Sequence, residues 1–267
     1  MERKITPSEL ALFSRSPVIG AWWEQLNKLD SKRAPKPKVD LLDQLLFESG
    51  HKHEELLIRD LKANGKKVKQ LSGKITVESF EETLDVINDG KYDFIHQASL
   101  QNPELRGSVD FLERIDKPSK LGDWSYIPIE CKLSSHPKPI YLVQACAYCE
   151  LLEPVLGYRP ENFKLYLGGR KFAQEPDGYL LDDFWMWYKS LRDRYKKFIE
   201  DFDESKQPEF SPGDHGHWTS FVEEQLEKKR DLTLVAGMKQ NQRNKLISSG
   251  IFTIDELARA SKSKIKN

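Results

Sequence analysis

From Tyr126 to Ser134 the chain reads Y-I-P-I-E-C-K-L-S, an alternation that leaves few folds open to it. Ile127, Ile129, Cys131 and Leu133 recur every second residue, the period of a strand, while Glu130 and Lys132 share the opposite face. An isolated E-x-K is most often a solvated salt bridge, because so short a pattern is common. Its surroundings change the odds. Arg106 to Arg114 reads R-G-S-V-D-F-L-E-R, with Val109 and Phe111 flanking Asp110 on a probable neighbouring strand. Acids projecting from apolar strands suit the chemistry of phosphodiester hydrolysis, which needs a hard divalent cation to offset phosphoryl charge and acidify a water.

The elements around these strands follow from periodicity and punctuation. Thr6 to Leu29 is predicted as a helix, capped by Thr6 or Ser8 and interrupted around Pro17, and Ser31 to Lys38 as a linker. From Asp40 to Asn64 leucines recur at helical spacing and the run stops at Gly65. Strands are expected at Lys67 to Leu71, Ile75 to Val77, Tyr92 to Leu100, Gly107 to Ile115, Tyr126 to Leu133 and Phe163 to Leu167. Pro128 sits awkwardly in its strand and hints at an edge or a bulge. Helices follow at Ile140 to Leu152 and Tyr179 to Phe202. After a polar stretch from Gln207 to His217, Leu232 to Gly250 and Thr253 to Ala260 are predicted as two short helices forming a hairpin. Thr253 and Glu256 have capping-box spacing there. This order is that of an α/β fold, a mixed sheet flanked by helices, with a first domain over 1–206 and a C-terminal segment over 207–267.

Composition excludes some classes. With 267 residues, 38% hydrophobic, 31% charged and a mean hydropathy of −0.64, the chain describes a soluble globular protein. It contains no stretch of membrane-spanning length, and Met1 to Leu12 lacks a secretory signal, so a cytoplasmic, membrane-free protein is expected. The three cysteines, Cys131, Cys146 and Cys149, show no disulfide framework. Lysine plus arginine (42) equals aspartate plus glutamate (42), so net charge gives no argument for a polyanionic partner. Basic clusters at Lys62 to Lys69, Lys228 to Arg230 and Lys239 to Lys266 could contact phosphates or simply be solvated faces.

His53 falls on the buried stripe of the Asp40 to Asn64 helix, where a lone His is more often a hydrogen-bonded core residue than a ligand. Gln144 and Tyr148, four apart, share a face of their helix. In order, G-H-K-H (Gly50 to His53), G-S-V-D (Gly107 to Asp110), E-C-K (Glu130 to Lys132) and Q-A-C-A-Y (Gln144 to Tyr148) resemble the RecB-type nucleases of the PD-(D/E)XK superfamily. The similarity is closest to a group whose longer members carry an RNase H-like domain after a helical hairpin. It extends to Tyr92 to Leu100, Leu167 to Gly169 and Leu232 to Gly237.

The resemblance implies a restriction-endonuclease-like core and a metal-dependent deoxyribonuclease working at DNA ends or single strands. It implies that His53, Asp110, Glu130 and the backbone carbonyl of Cys131 bind Mg2+ or Mn2+, and that Lys132 orients or activates the water. Gln144 and Tyr148 would contact nucleic acid or steady Lys132, with Glu54 and Asp93 behind the ligands. The alternative is a DNA-binding subunit that keeps the fold and serves a helicase or other repair protein without cutting. Many relatives hold an iron-sulfur cluster on one cysteine before the His motif and three after the Gln-Tyr motif. Here those places read F-S-R-S-P (Phe13 to Pro17) and G-D-H-G-H-W-T-S (Gly213 to Ser220), so no cluster is expected. Packing by Trp22, Trp23 and Trp218 is expected to replace it.

Overall fold

The computed structural model describes residues 3–34, 41–168 and 176–261, with 41–43 by backbone alone. Most of the predicted linker, Gly169, and the lysines after Ser261 lie outside them. The chain divides into two compact units, residues 1–14 with 39–200 and residues 15–38 with 201–267.

The first unit is built on a six-stranded mixed sheet in the order β1 (Val68–Gln70), β2 (Phe94–Gln101), β3 (Arg106–Ile115), β4 (Ser125–Lys132), β5 (Asn162–Leu167) and β6 (Asp177–Leu180). β1 runs parallel to β2 and β4 to β5, while the other neighbours are antiparallel. A parallel step needs a crossover, and α5 (Pro139–Leu156) supplies it between β4 and β5. Pro128 fits this plan: β4 pairs with β5 only from Ile129 onward, so the proline has a strand neighbour on one side alone.

Helices α1 (Pro7–Arg15) and α3 (Leu41–Ala63) match the expected helical runs, and Thr6 is the cap of the first. The Glu9 carboxylate accepts the Thr6 N–H at 2.7 Å, and the Thr6 hydroxyl accepts the Glu9 N–H at 3.3 Å. α3 lays Leu57 and Ile58 on Phe94, Phe111, Ile129, Cys131 and Tyr166 of the sheet. Each such buried side chain contributes about 1.5–3 kcal/mol. Among the described residues no helix is long and apolar enough to cross a membrane.

Two expectations fail in this first unit. Ile75 to Val77 is not a strand: Thr76 caps α4 (Val77–Asp89) by accepting the Ser79 N–H, and Gly90 at φ +62° closes it. Phe80, Thr83 and Ile87, at spacings of three and four, are the buried face of that helix. Tyr179 does not begin a helix either, since Asp177–Leu180 joins the sheet as β6. α6 (Asp182–Glu200) starts only after it, with Asp182 and Asp183 in its first turn.

In the second unit α2 (Ile19–Leu29) follows the break at Pro17. Trp23 packs edge-on against Trp22 at 4.9 Å and lies 6.1 Å from the fully buried Trp218, so the three tryptophans form one cluster. Where the resemblance would place cluster cysteines, the His215 Nε2 donates to the Ser211 carbonyl at 2.8 Å. Its Nδ1 is thereby left to accept the Ser16 hydroxyl at 2.7 Å, and the Ser16 oxygen accepts the Gly20 N–H at 2.7 Å. α7 (Thr219–Lys228) buries Val222 and Leu226. The predicted Leu232 to Gly250 helix is broken. Leu232–Leu234 forms a 3-10 turn, Gly237 turns at φ +75°, and α8 spans Gln240–Ser248. α9 (Ile254–Arg259) carries the expected Thr253 and Glu256 capping box, and Leu232, Leu246 and Ile251 form the hairpin's own core.

Candidate active site

The β3 and β4 ladder runs from Ile115 opposite Ser125 to Phe111 opposite Ile129, which makes Asp110 and Glu130 the next pair in register. There the ladder changes character. The Asp110 Oδ2 accepts the Cys131 N–H at 2.8 Å, so a side chain takes a main-chain donor at the point where the backbone pairing stops. Lys132 lies on the same face of β4 as Glu130. Its Nζ pairs with the Glu130 Oε2 and sits 3.5 Å from the Asp110 Oδ2. Beyond it β4 and β5 close tightly. Gly168 donates to the Lys132 carbonyl at 2.7 Å, and a Cβ there would fall 2.1 Å from the Leu133 oxygen.

Two acids and one cation are thus gathered, with Glu130 only 1% exposed and Asp110 and Lys132 half-buried. Burial pushes the Glu130 carboxyl up to about 8, and the charge of Asp110 adds to the effect. Burial likewise raises Asp110, although Lys132 opposes this. Burial works against the Lys132 ammonium, but the two carboxylates more than offset it, so its pKa is raised and it stays charged. One ammonium beside two carboxylates leaves one negative charge uncompensated, and both acids are accordingly raised above their ordinary range.

The other expected residues divide. Tyr148, buried on α5, donates its hydroxyl to the Ser108 carbonyl at 2.7 Å. Burial and then the charges of Glu130 and Asp110 hold its phenol well above its usual range. Gln144 lies on the same helix face as Tyr148 at half-burial, and three residues before it Tyr141 faces the Lys132 Nζ at 5.8 Å from its ring centre. Tyr141 was not singled out from sequence, though its spacing from Gln144 carried the signal. The contact the structure gives His53 is with Tyr166, the cross-strand neighbour of Cys131, at a ring separation of 5.1 Å. Its Nε2 is buried without a hydrogen-bond partner. Asp93 caps a backbone instead, accepting the Lys67 N–H at 2.7 Å.

Glu54 proves closer to the site than its neighbour in sequence suggested. Its charge acts on both Asp110 and Glu130. Its Oε2 accepts from the His96 Nε2 at 2.8 Å and the Gln97 Nε2 at 2.9 Å. Neither His96 nor Gln97 was predicted as a site residue.

A divalent cation fits the chemistry of these donors. The Glu130 Oε1 and the His53 Nε2 are buried and have no hydrogen-bond partner among the described residues, an arrangement that is costly unless something else satisfies them. Carboxylate and imidazole donors suit magnesium or manganese. As the side chains stand, no three His, Cys, Asp or Glu residues among those described are gathered into a ligand group.

Comparison with protein-family models and with curated proteins returns no match to this chain.

Proposed function

We propose that the chain is a RecB-like nuclease of the PD-(D/E)XK type, a metal-dependent hydrolase of DNA phosphodiester bonds acting at ends or on single strands. The observation that carries this reading is the cluster of buried Glu130 with half-buried Asp110 and Lys132 at the point where β3 and β4 stop pairing, with a Glu130 carboxylate oxygen that has no hydrogen-bond partner among the described residues. A second acid on one lysine leaves a negative charge uncompensated, which is costly away from water unless a further cation offsets it.

Asp110, Glu130, His53 and the Cys131 carbonyl would hold Mg2+ or Mn2+. When bound, such an ion supplies Lewis-acid stabilisation of phosphoryl charge and lowers the pKa of a water. The protein's own parts do the rest. Lys132 contributes fixed positive charge where negative charge grows on the phosphoryl oxygens, and in this half-buried setting that charge acts more strongly than in water. Asp110, held by the Cys131 N–H, cannot swing away from β4. Gln144 and Tyr148 on α5 would contact the nucleic acid or steady Lys132, whose ammonium faces the Tyr141 ring.

Digestion of end-labelled single-stranded and duplex DNA with magnesium or manganese, for the wild type beside Glu130→Ala and Lys132→Ala, tests the proposal. Cleavage by the wild type that both variants lose is the expected result. Binding without cleavage would favour a non-cutting subunit of a helicase or repair assembly. Cleavage that survives in both variants would remove this site from consideration.

A further inference from the structure

Gln97 lies inside β2 with a φ of +56°, a left-handed conformation that a side-chain-bearing residue in a strand adopts only at a cost in free energy. The flanking pairs, His96 with Phe111 and Ala98 with Val109, put it directly across from Asp110. Both ends of its amide are engaged. The Nε2 donates to the Glu54 Oε2 at 2.9 Å, and the Oε1 accepts the Ser108 hydroxyl at 3.2 Å. Gly73 makes room for it: a Cβ there would stand 2.7 Å from the Gln97 Oε1. His96 donates to the same Glu54 oxygen, so one strand grips one carboxylate twice.

A strand irregularity alone would be met more cheaply by glycine, which accepts positive φ without strain. Glutamine brings something glycine cannot, an amide that ties α3 to β2 and β3 beside the acid pair. We infer that Gln97 is a positioning residue: its left-handed backbone aims the amide so that Glu54, and with it the His53 turn of α3, is held against Asp110 and Glu130. This inference rests on the nuclease reading above and adds a device that presents the α3 side of the cation site.

Gln97→Gly separates the two roles, since it keeps the backbone conformation and deletes the amide. The probe is Mn2+ alone, titrated against the thermal unfolding midpoint, with DNA cleavage measured in parallel. The expected result is an apo midpoint equal to or above wild type. The Mn2+ concentration for half-maximal stabilisation should be raised about tenfold, the scale on which groups behind metal ligands act. Cleavage should be lost at low Mn2+ and recovered at high Mn2+. Glu54→Gln, which keeps the size but removes the carboxylate charge that His96 and Gln97 hold, should shift the titration in the same sense, and the double variant should be little worse than either single one.

A Gln97→Gly protein that titrates with Mn2+ like wild type overturns the inference while leaving the nuclease reading standing. If that variant does not fold, an unshifted titration for Glu54→Gln overturns it equally. A wild type that responds to Mn2+ neither in stability nor in cleavage brings down both.

Discussion

Replacing Glu130 by glutamine should change how stability depends on pH, and the sign follows from the burial of that carboxyl. Its folded value, about 8, lies above its ordinary value of 4.5, so between those limits the folded chain holds a proton that the unfolded chain has released. Stability is then highest at the acidic end of the window and falls as pH rises through it. Each pH unit inside the window is worth about 1.4 kcal/mol, and about 3.5 units give a ceiling of roughly 5 kcal/mol. Asp110 and Lys132 share that proton balance and bring the realised figure below the ceiling. For a unit of this size the slope corresponds to roughly 3–5 °C in midpoint per pH unit. Scanning calorimetry in EDTA from pH 5 to 8 should show the wild type losing stability with pH and Glu130→Gln nearly flat, the curves converging or crossing at the alkaline end. Parallel curves would refute the reasoning, since they would mean that Glu130 ionises in the folded protein as it does in the unfolded one.

Lys132→Met should abolish cleavage and destabilise the first unit by about 3–5 kcal/mol at pH 8, because two buried acids lose their cation; denaturant midpoints beside a cleavage assay check both. Tyr148→Phe should cost about 1 kcal/mol through the lost hydrogen bond to the Ser108 carbonyl and lower cleavage at saturating metal, read by unfolding and by initial rates. In the second unit, Ser16→Ala removes the oxygen that serves both Gly20 and His215. It should cost about 1–3 kcal/mol in urea unfolding followed by tryptophan fluorescence, with cleavage unchanged.

Much of the sheet was legible because its strands obey a period of two and its long helix ends on a glycine. Glu130 and Lys132 could be placed together from that period alone, and Val109 and Phe111 fixed which way Asp110 points relative to its neighbours. What escaped was set by tertiary context. Ile75 and Val77 read as strand by their β-branching, whereas the Thr76 hydroxyl, lying between them, starts a helix that packs on β2. Tyr179 carries a helical pattern downstream, yet its own backbone completes the sheet edge against β5. His96 and Gln97 were invisible as site residues because their roles depend on a left-handed turn inside a strand, which leaves no mark in composition. The link between Ser16 and His215 joins residues 199 positions apart, a distance across which local pattern carries no information.

The account depends on a cation lying among His53, Asp110 and Glu130. Anomalous diffraction from crystals soaked in Mn2+ tests this most directly. The account predicts a single strong peak within coordination distance of one oxygen of each acid, with the His53 imidazole turned toward it. A peak elsewhere, or none while Lys132 still holds Glu130, would contradict it.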